Sequence, residues 1–343
     1  MRLLKVLGWL LVWIVLFLCS IWAFGAIYFD LPFAGLRLPA AILFVILLLT
    51  ALFFARGQGL KATLVAAAFM IASLWWWTLT PSNDRPWQPD VAQTAWAEIN
   101  GDEITLHNVR NCDYRSETDY TPRWETRTVR ASQIVGIDIA LTYWGSPWIA
   151  HPIISFRFAD ALPLCFSIET RKMIGQEYSA IRGFYRQFTL IYTVADERDP
   201  IRLRTNYRKG EEVYLYRTLA SPEQARARFS EYIETLNEMH TNPRWYNAVT
   251  TNCTTSIRAQ HPPHERIHWD WRMLINGYGD QMMYEHNFLV TGDLPFAELK
   301  AQSLIDTKAQ AADQDPDFSK RIREGVPGFA PQNPAAANKS VPN

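Results

Sequence analysis

The chain has 343 residues, 48% of them hydrophobic and 13% aromatic, which is ample material for packed cores and excludes a wholly disordered chain. Its 34 Lys and Arg against 34 Asp and Glu leave no net charge, so no basic surface for nucleic acid is implied. Four cysteines are too few for a disulfide scaffold.

The charges are unevenly placed. Only Arg2, Lys5, Asp30, Arg37, Arg56 and Lys61 fall in the first 80 residues, a balance of +4, and the remainder carries −4. Uncharged stretches at residues 6–29, 38–55 and 62–80 reach or approach the roughly 20 residues that a helix needs to cross a bilayer. They predict three spanning helices, the first too long for the apolar core of a cleaved signal peptide. Arg2, Lys5, Arg56 and Lys61 belong on the cytoplasmic side, which exports everything after Thr80. Trp75, Trp76 and Trp77 fit an interfacial anchor where the third span leaves the bilayer, and Cys19 lies inside the first span.

Residues 81–95 read as a linker. Strand-like runs follow at 103–109, 136–143, 153–158, 164–169, 188–195, 201–204 and 212–217, separated by turn residues. Ser221 and Pro222 open a helix with Ala225, Phe229, Ile233 and Leu236 on one stripe, and Asn242 and Pro243 stop it. A further helix starts at Thr251 or Asn252 and carries Cys253. From Ala309 the composition turns to Ala, Asp, Gln, Pro and Asn, which predicts a tail over 309–343, disordered beyond Gly328.

Cys253 at the head of its helix would feel unpaired amides that lower a thiol pKa and can hold an oxyanion. The alternative is a buried structural cysteine among the capping residues Asn252, Thr254 and Thr255. His151 opens a strand-turn-strand unit. A three-residue turn at 159–161 sets it directly opposite Glu169, where a carboxylate would orient the imidazole; a four-residue turn puts the two on opposite faces. His264-Glu265-Arg266-Ile267-His268 matches the zinc-protease pattern, with Glu285 or His286 as a third ligand. Pro262 and Pro263 would break the helix this pattern requires, so neither a metal nor a cofactor is expected. Cys112 and Cys165 could pair in an oxidising compartment or remain free. His107, His240 and His261 read as surface or satisfied core residues.

One string of motifs is specific. His107-Asn108-Val109-Arg110-Asn111-Cys112-Asp113-Tyr114-Arg115, Tyr143-Trp144-Gly145, Ala150-His151, Ser167-Ile168-Glu169-Thr170-Arg171, Asp196-Glu197-Arg198-Asp199, Leu203-Arg204-Thr205-Asn206, Asn252-Cys253-Thr254-Thr255 and Trp269-Asp270-Trp271-Arg272 together resemble the Lnb N-terminal periplasmic domain family, over roughly residues 96–299. That family includes bacterial lipoprotein N-acyltransferases of the Lnb type. The resemblance implies an α+β fold: N-terminal transmembrane helices, then a permuted papain-like domain at 96–308, similar to NlpC-type and lecithin:retinol acyltransferase-like proteins. This domain would combine an antiparallel β-sheet with a nucleophile helix. His151, Glu169 and Cys253 would be the catalytic residues, with Asn252, Thr254 and Tyr143 supporting the oxyanion. Ala159-Asp160-Ala161 lacks the glycine expected of the family's hairpin, and His268 stands where a less polar residue is expected.

The function so implied is periplasmic thiol acyl transfer at the bacterial inner membrane, with phospholipid as donor and a diacylated lipoprotein as acceptor. A cell-wall amidase or peptidase of the NlpC type and a non-catalytic envelope protein are the alternatives.

Overall fold

The computed structural model describes residues 2–260, 270–273 and 275–329. The chain divides into two compact units, one of residues 1–85, 175–189 and 244–248, the other of the remaining chain.

The first unit holds α1 (Arg2–Asp30), α2 (Ala34–Phe54) and α3 (Gln58–Trp77), each long and apolar enough to cross a membrane. Their Leu, Ile and Val side chains are largely exposed, whereas Ala23, Phe44 and Ala72 are buried against one another. Small residues at the crossings let the backbones approach, and lipid tails suit the aliphatic exterior.

The second unit is built on one sheet. Its strands are β1 (Trp96–Asn100), β2 (Glu103–Arg110), β5 (Trp124–Arg130), β6 (Ile134–Trp144), β7 (Ala150–Phe158), β8 (Leu164–Arg171), β9 (Thr189–Asp196) and β10 (Glu211–Arg217), while β3 (Asp113–Tyr114) and β4 (Tyr120–Thr121) form a separate small ribbon. The order is β1-β2-β9-β8-β7-β6-β10, with β5 on β2. The expectation of an antiparallel sheet is corrected at one contact: β2 and β9 run parallel where Arg110 meets Ala195. A buried ion pair explains it, since Arg110 at the end of β2 reaches Asp199 just beyond β9 at 2.8 Å, so both strands must end on the same side.

Two strands escape the alternation test. β5 has Glu125 and Arg127 in phase with its single buried residue, Val129, and polar Thr126, Thr128 and Arg130 on the other face, and β1 has one buried residue, Ala97. The strand expected at 201–204 is instead α4 (Pro200–Arg202), continuing into a π-helical turn, Leu203–Tyr207. Pro200 has no amide hydrogen to give a sheet and its fixed φ suits a first helical turn.

α5 (Pro222–Thr241) starts in a capping box between Ser221 and Gln224. It lays Phe229 and Tyr232 on Phe156 and Phe166, with ring centroids 5.1 Å apart for Phe156–Phe229 and 5.2 Å for Phe166–Tyr232. α6 (Cys253–Gln260) packs against α5, β7 and β8. The chain ends in α7 (Gly279–Glu285), α8 (Phe296–Ser303), α9 (Asp306–Ala311) and α10 (Phe318–Arg321). Ala309, Ala312, Phe318, Ile322 and Val326 are buried with Ala140, Ile153 and Leu215. The described part of the segment set apart as a tail is therefore core, carried by Phe318, Ile322 and Val326 at four-residue spacing. The linker also packs: Trp87 and Val91 are buried against Ile191.

Candidate active site

The β7–β8 hairpin sets the first half of the site. Ile153 pairs with Ser167 and Phe156 with Leu164, and continuing that register past the last pair brings His151 level with Glu169. With side chains alternating, His151, Ser167 and Glu169 share the sheet face that carries Ile153 and Cys165. Ser167 stands between the other two: its Oγ lies 2.8 Å from His151 Nε2 and donates to Glu169 Oε1 at 2.7 Å, whereas His151 and Glu169 are 3.9 Å apart.

The hydroxyl has one proton and gives it to the carboxylate, so it must accept from the ring. His151 is therefore the Nε2–H tautomer, and the lone pair sits on Nδ1. Arg204 donates to Glu169 at 3.2 Å and Arg110 lies 3.7 Å away. Burial pushes the Glu169 pKa up, but Arg110, Arg204 and His151 outweigh it and hold the carboxyl well below its ordinary range. Burial and the positive charge of Arg204 lower the His151 pKa to about 3 against the opposing pull of Glu169, so the imidazole is neutral at neutral pH.

Cys253 is the first residue of α6. Asn252 caps the helix, its Oδ1 accepting from the Thr255 amide at 2.9 Å while the Thr255 hydroxyl accepts from the Asn252 amide at 2.9 Å. Asn276 Nδ2 points at Cys253 Sγ from 3.9 Å, and Asn276 Oδ1 accepts from the Ala150 amide at 2.9 Å. One side chain thus ties the thiol to the residue before His151. The His151 ring itself turns to Ser167, and among the described residues no hydrogen bond joins it to the thiol.

Tyr143 lies out of phase with the histidine. It pairs with Ala150, on the opposite face from Thr142 and His151, and its hydroxyl donates to the Gly277 carbonyl at 2.9 Å. It positions the Asn276 loop. Asn276 has no signal in the sequence, because nothing local distinguishes it; Ser167 was legible as the same-face neighbour two residues before Glu169. The Thr254 side chain and the motif at 264–268 lie outside the described residues, and no cluster of metal-ligating side chains forms among the described ones.

The other cysteines have different surroundings. All four are free thiols, so Cys112 and Cys165 are not paired. Burial and Asp199 push the Cys112 thiol up to about 12, and burial raises Cys165 further, whereas Cys253 is only half-buried. His107 stacks on Trp96 at 4.1 Å and His240 meets the Thr94 hydroxyl at 2.7 Å, both with structural partners; His261 lies outside the described residues.

Gly277 fixes the Asn276 loop closely. A Cβ there would sit 2.1 Å from the Pro147 carbonyl oxygen and 2.4 Å from the Trp148 carbonyl carbon. Gly277→Ala is expected to displace the loop at an overpacking cost of about 1–3 kcal/mol, lowering the unfolding midpoint and changing the alkylation rate of Cys253. An unchanged alkylation rate would separate Asn276 from the thiol.

The model of the family described as Lnb N-terminal periplasmic domain matches residues 120–277, a segment that includes His151, Glu169, Cys253 and Asn276 and is shorter than the stretch over which the motifs run. No curated protein and no solved structure matches the chain. Behind three helices fit to cross a membrane, residues 120–277 are matched by the family that their motifs resemble, the Lnb N-terminal periplasmic domain.

Proposed function

We propose that this chain is a multi-pass inner-membrane protein whose periplasmic domain, a permuted papain-like unit with α6 as nucleophile helix, is a thiol acyltransferase. It would move an acyl chain from phospholipid through a Cys253 thioester to the N-terminal amine of a diacylated lipoprotein. The observation that carries the reading is the setting of Cys253: a half-buried thiol at a helix N-terminus, with the Asn276 amide aimed at its sulfur.

In the first step the Cys253 proton passes to Nδ1 of His151, and Sγ attacks the phospholipid ester carbon. The negative oxygen is held by amides at the start of α6 and by Asn276 Nδ2. The ester C–O bond then breaks, the leaving alkoxide takes the proton back from His151, and a lysophospholipid departs. In the second step the lipoprotein amine attacks the thioester, gives its proton to His151, and expels the Cys253 thiolate, which that proton restores. Because the resting imidazole is neutral and turned to Ser167, no thiolate–imidazolium pair is preformed. The ring swings to the thiol as the donor binds, in the manner of catalytic contacts that tighten only in the substrate complex, while Glu169 stabilises the transient imidazolium. Arg2, Lys5, Arg56 and Lys61 orient the spans with the domain outside.

Intact-mass measurement of the detergent-purified chain incubated with phospholipid tests this. An acyl-sized adduct, removed by hydroxylamine and discharged by a diacylglyceryl-cysteinyl peptide with a free amine, is the expected result. A folded protein that takes no adduct from several phospholipids would overturn it in favour of a cell-wall hydrolase or a non-catalytic protein.

A further inference from the structure

The segment Gly175–Thr189, between β8 and β9, belongs to the same compact unit as the three apolar helices. Its anchoring is polar and complete. Asp30, at the last turn of α1, is buried; its Oδ2 accepts from Trp76 Nε1 at 2.7 Å and from the Arg186 amide at 3.1 Å. Its Oδ1 accepts from Gln187 Nε2 at 2.7 Å, and the same nitrogen reaches the Phe29 carbonyl at 2.7 Å. The Arg186 guanidinium lies 4.0 Å over the Trp76 ring and donates to the Leu79 carbonyl. Tyr185 packs against Phe29 with ring centroids 5.0 Å apart and fills the notch at Gly25, where a Cβ would fall 1.9 Å from its hydroxyl oxygen. The segment is thus clamped to the ends of α1 and α3 that leave the apolar stretch.

Its exposed side chains are mostly apolar, with Glu177 and Arg182 the charged exceptions. Tyr178, Ile181 and Phe184 are 50%, 63% and 45% exposed, with the cation Arg182 between the last two. In the same unit Trp77 and Phe33 are 72% and 69% exposed. Aromatic and branched aliphatic residues with an interspersed cation are the composition of a membrane interface.

Resting on the reading of α1–α3 as spans, we propose that Tyr178, Ile181 and Phe184 insert into the outer leaflet of the bilayer that those helices cross, with Arg182 at the phosphate level. The occupant of this surface is phospholipid, argued from continuity with the spans. The segment is also tied to the chain that leads to the nucleophile: the Tyr246 amide donates to the Phe188 carbonyl at 3.0 Å and the Ala248 amide to the Gly183 carbonyl at 2.8 Å. Cys253 follows Ala248 by five residues in sequence.

The test uses the full chain in phospholipid nanodiscs, in a Cys19→Ser, Cys253→Ser background, with nitroxide labels introduced through Ile181→Cys, Phe184→Cys and, as a water-exposed control, Lys209→Cys. The Ile181→Cys and Phe184→Cys labels are expected to show raised collision rates with oxygen and reduced ones with nickel-EDDA relative to the control. Labels as open to nickel-EDDA as the control would overturn the proposal. Because Cys253 is absent, this outcome is independent of acyl transfer. Cross-linking of the wild-type chain by a phospholipid carrying a head-proximal diazirine gives a second readout, expected to map to residues 178–184; adducts confined to α1–α3 would count against the insertion.

Discussion

Cys253→Ser is expected to abolish the acyl adduct, and His151→Gln to slow its formation by about 10²–10⁴-fold, the usual contribution of a general base. The two losses have different signatures. Serine in place of Cys253 offers a far less acidic and less nucleophilic group in a site without a preformed charged pair, and any oxygen ester it formed would resist the neutral hydroxylamine that cleaves a thioester, so no hydroxylamine-labile mass is expected. Glutamine in place of His151 keeps a donor to Ser167 but has no basic nitrogen to take the thiol proton, so the residual rate should rise with pH as hydroxide ionises the thiol directly. In the proposed mechanism the base is neutral His151, whose lowered pKa would keep it competent as the pH falls. Acylation should therefore persist at pH 5, where a histidine of ordinary pKa near 6.5 would be largely protonated.

The same depression makes a stability claim. Between about 3 and 6.5 the unfolded chain binds a proton at His151 that the folded chain refuses, so stability is full above 6.5 and is lost as the pH falls through that window. Glu169, held low by Arg110 and Arg204, adds to the loss at the acid end. If His151→Gln lowers the unfolding midpoint but leaves acylation per folded molecule unchanged, His151 serves the fold alone. The base would then be sought in the segment 261–268, which carries three further histidines.

What was legible in the sequence follows the physics of each element. The three apolar helices were readable because their uncharged stretches have the length that a bilayer requires, and α5 because Ser221, Pro222 and its apolar stripe agree. The His151–Glu169 register was legible because a hairpin leaves few alternatives. By contrast, β5 hides among Glu125, Arg127 and Arg130, and Pro200 was the overlooked sign that 201–204 is helical. Asn276 is brought to Cys253 from 23 residues away, a distance over which no local pattern acts. The side to which His151 turns depends on Ser167 and Arg204, again from separate elements.

The largest stability effect is expected at Arg323, in the stretch that composition alone assigned to a tail. Its guanidinium reaches Glu197 at 2.6 and 2.7 Å and Asp138 at 2.9 Å, and both carboxylates are fully buried. Asp138 keeps a second cation, Arg157 at 3.0 Å; Glu197 keeps the Ser155 hydroxyl at 2.5 Å. Arg323→Met therefore strands a buried charge and should cost about 3–5 kcal/mol, as breaking a buried ion pair from one side does. Adding Glu197→Gln should restore part of that loss, because the stranded charge is removed with its partner. Burial pushes the Glu197 pKa up, but Arg323 and Ser155 hold it below the ordinary value. The wild type thus loses stability as the pH falls through that range, while the variant, with an already disfavoured carboxylate, gains by protonation. The gap between them should be widest near pH 7 and narrow toward pH 4, measured by denaturant unfolding of the full chain in detergent. A difference below about 1 kcal/mol at pH 7, the scale of an exposed ion pair, would show that residues 306–329 lie on the domain without holding it together.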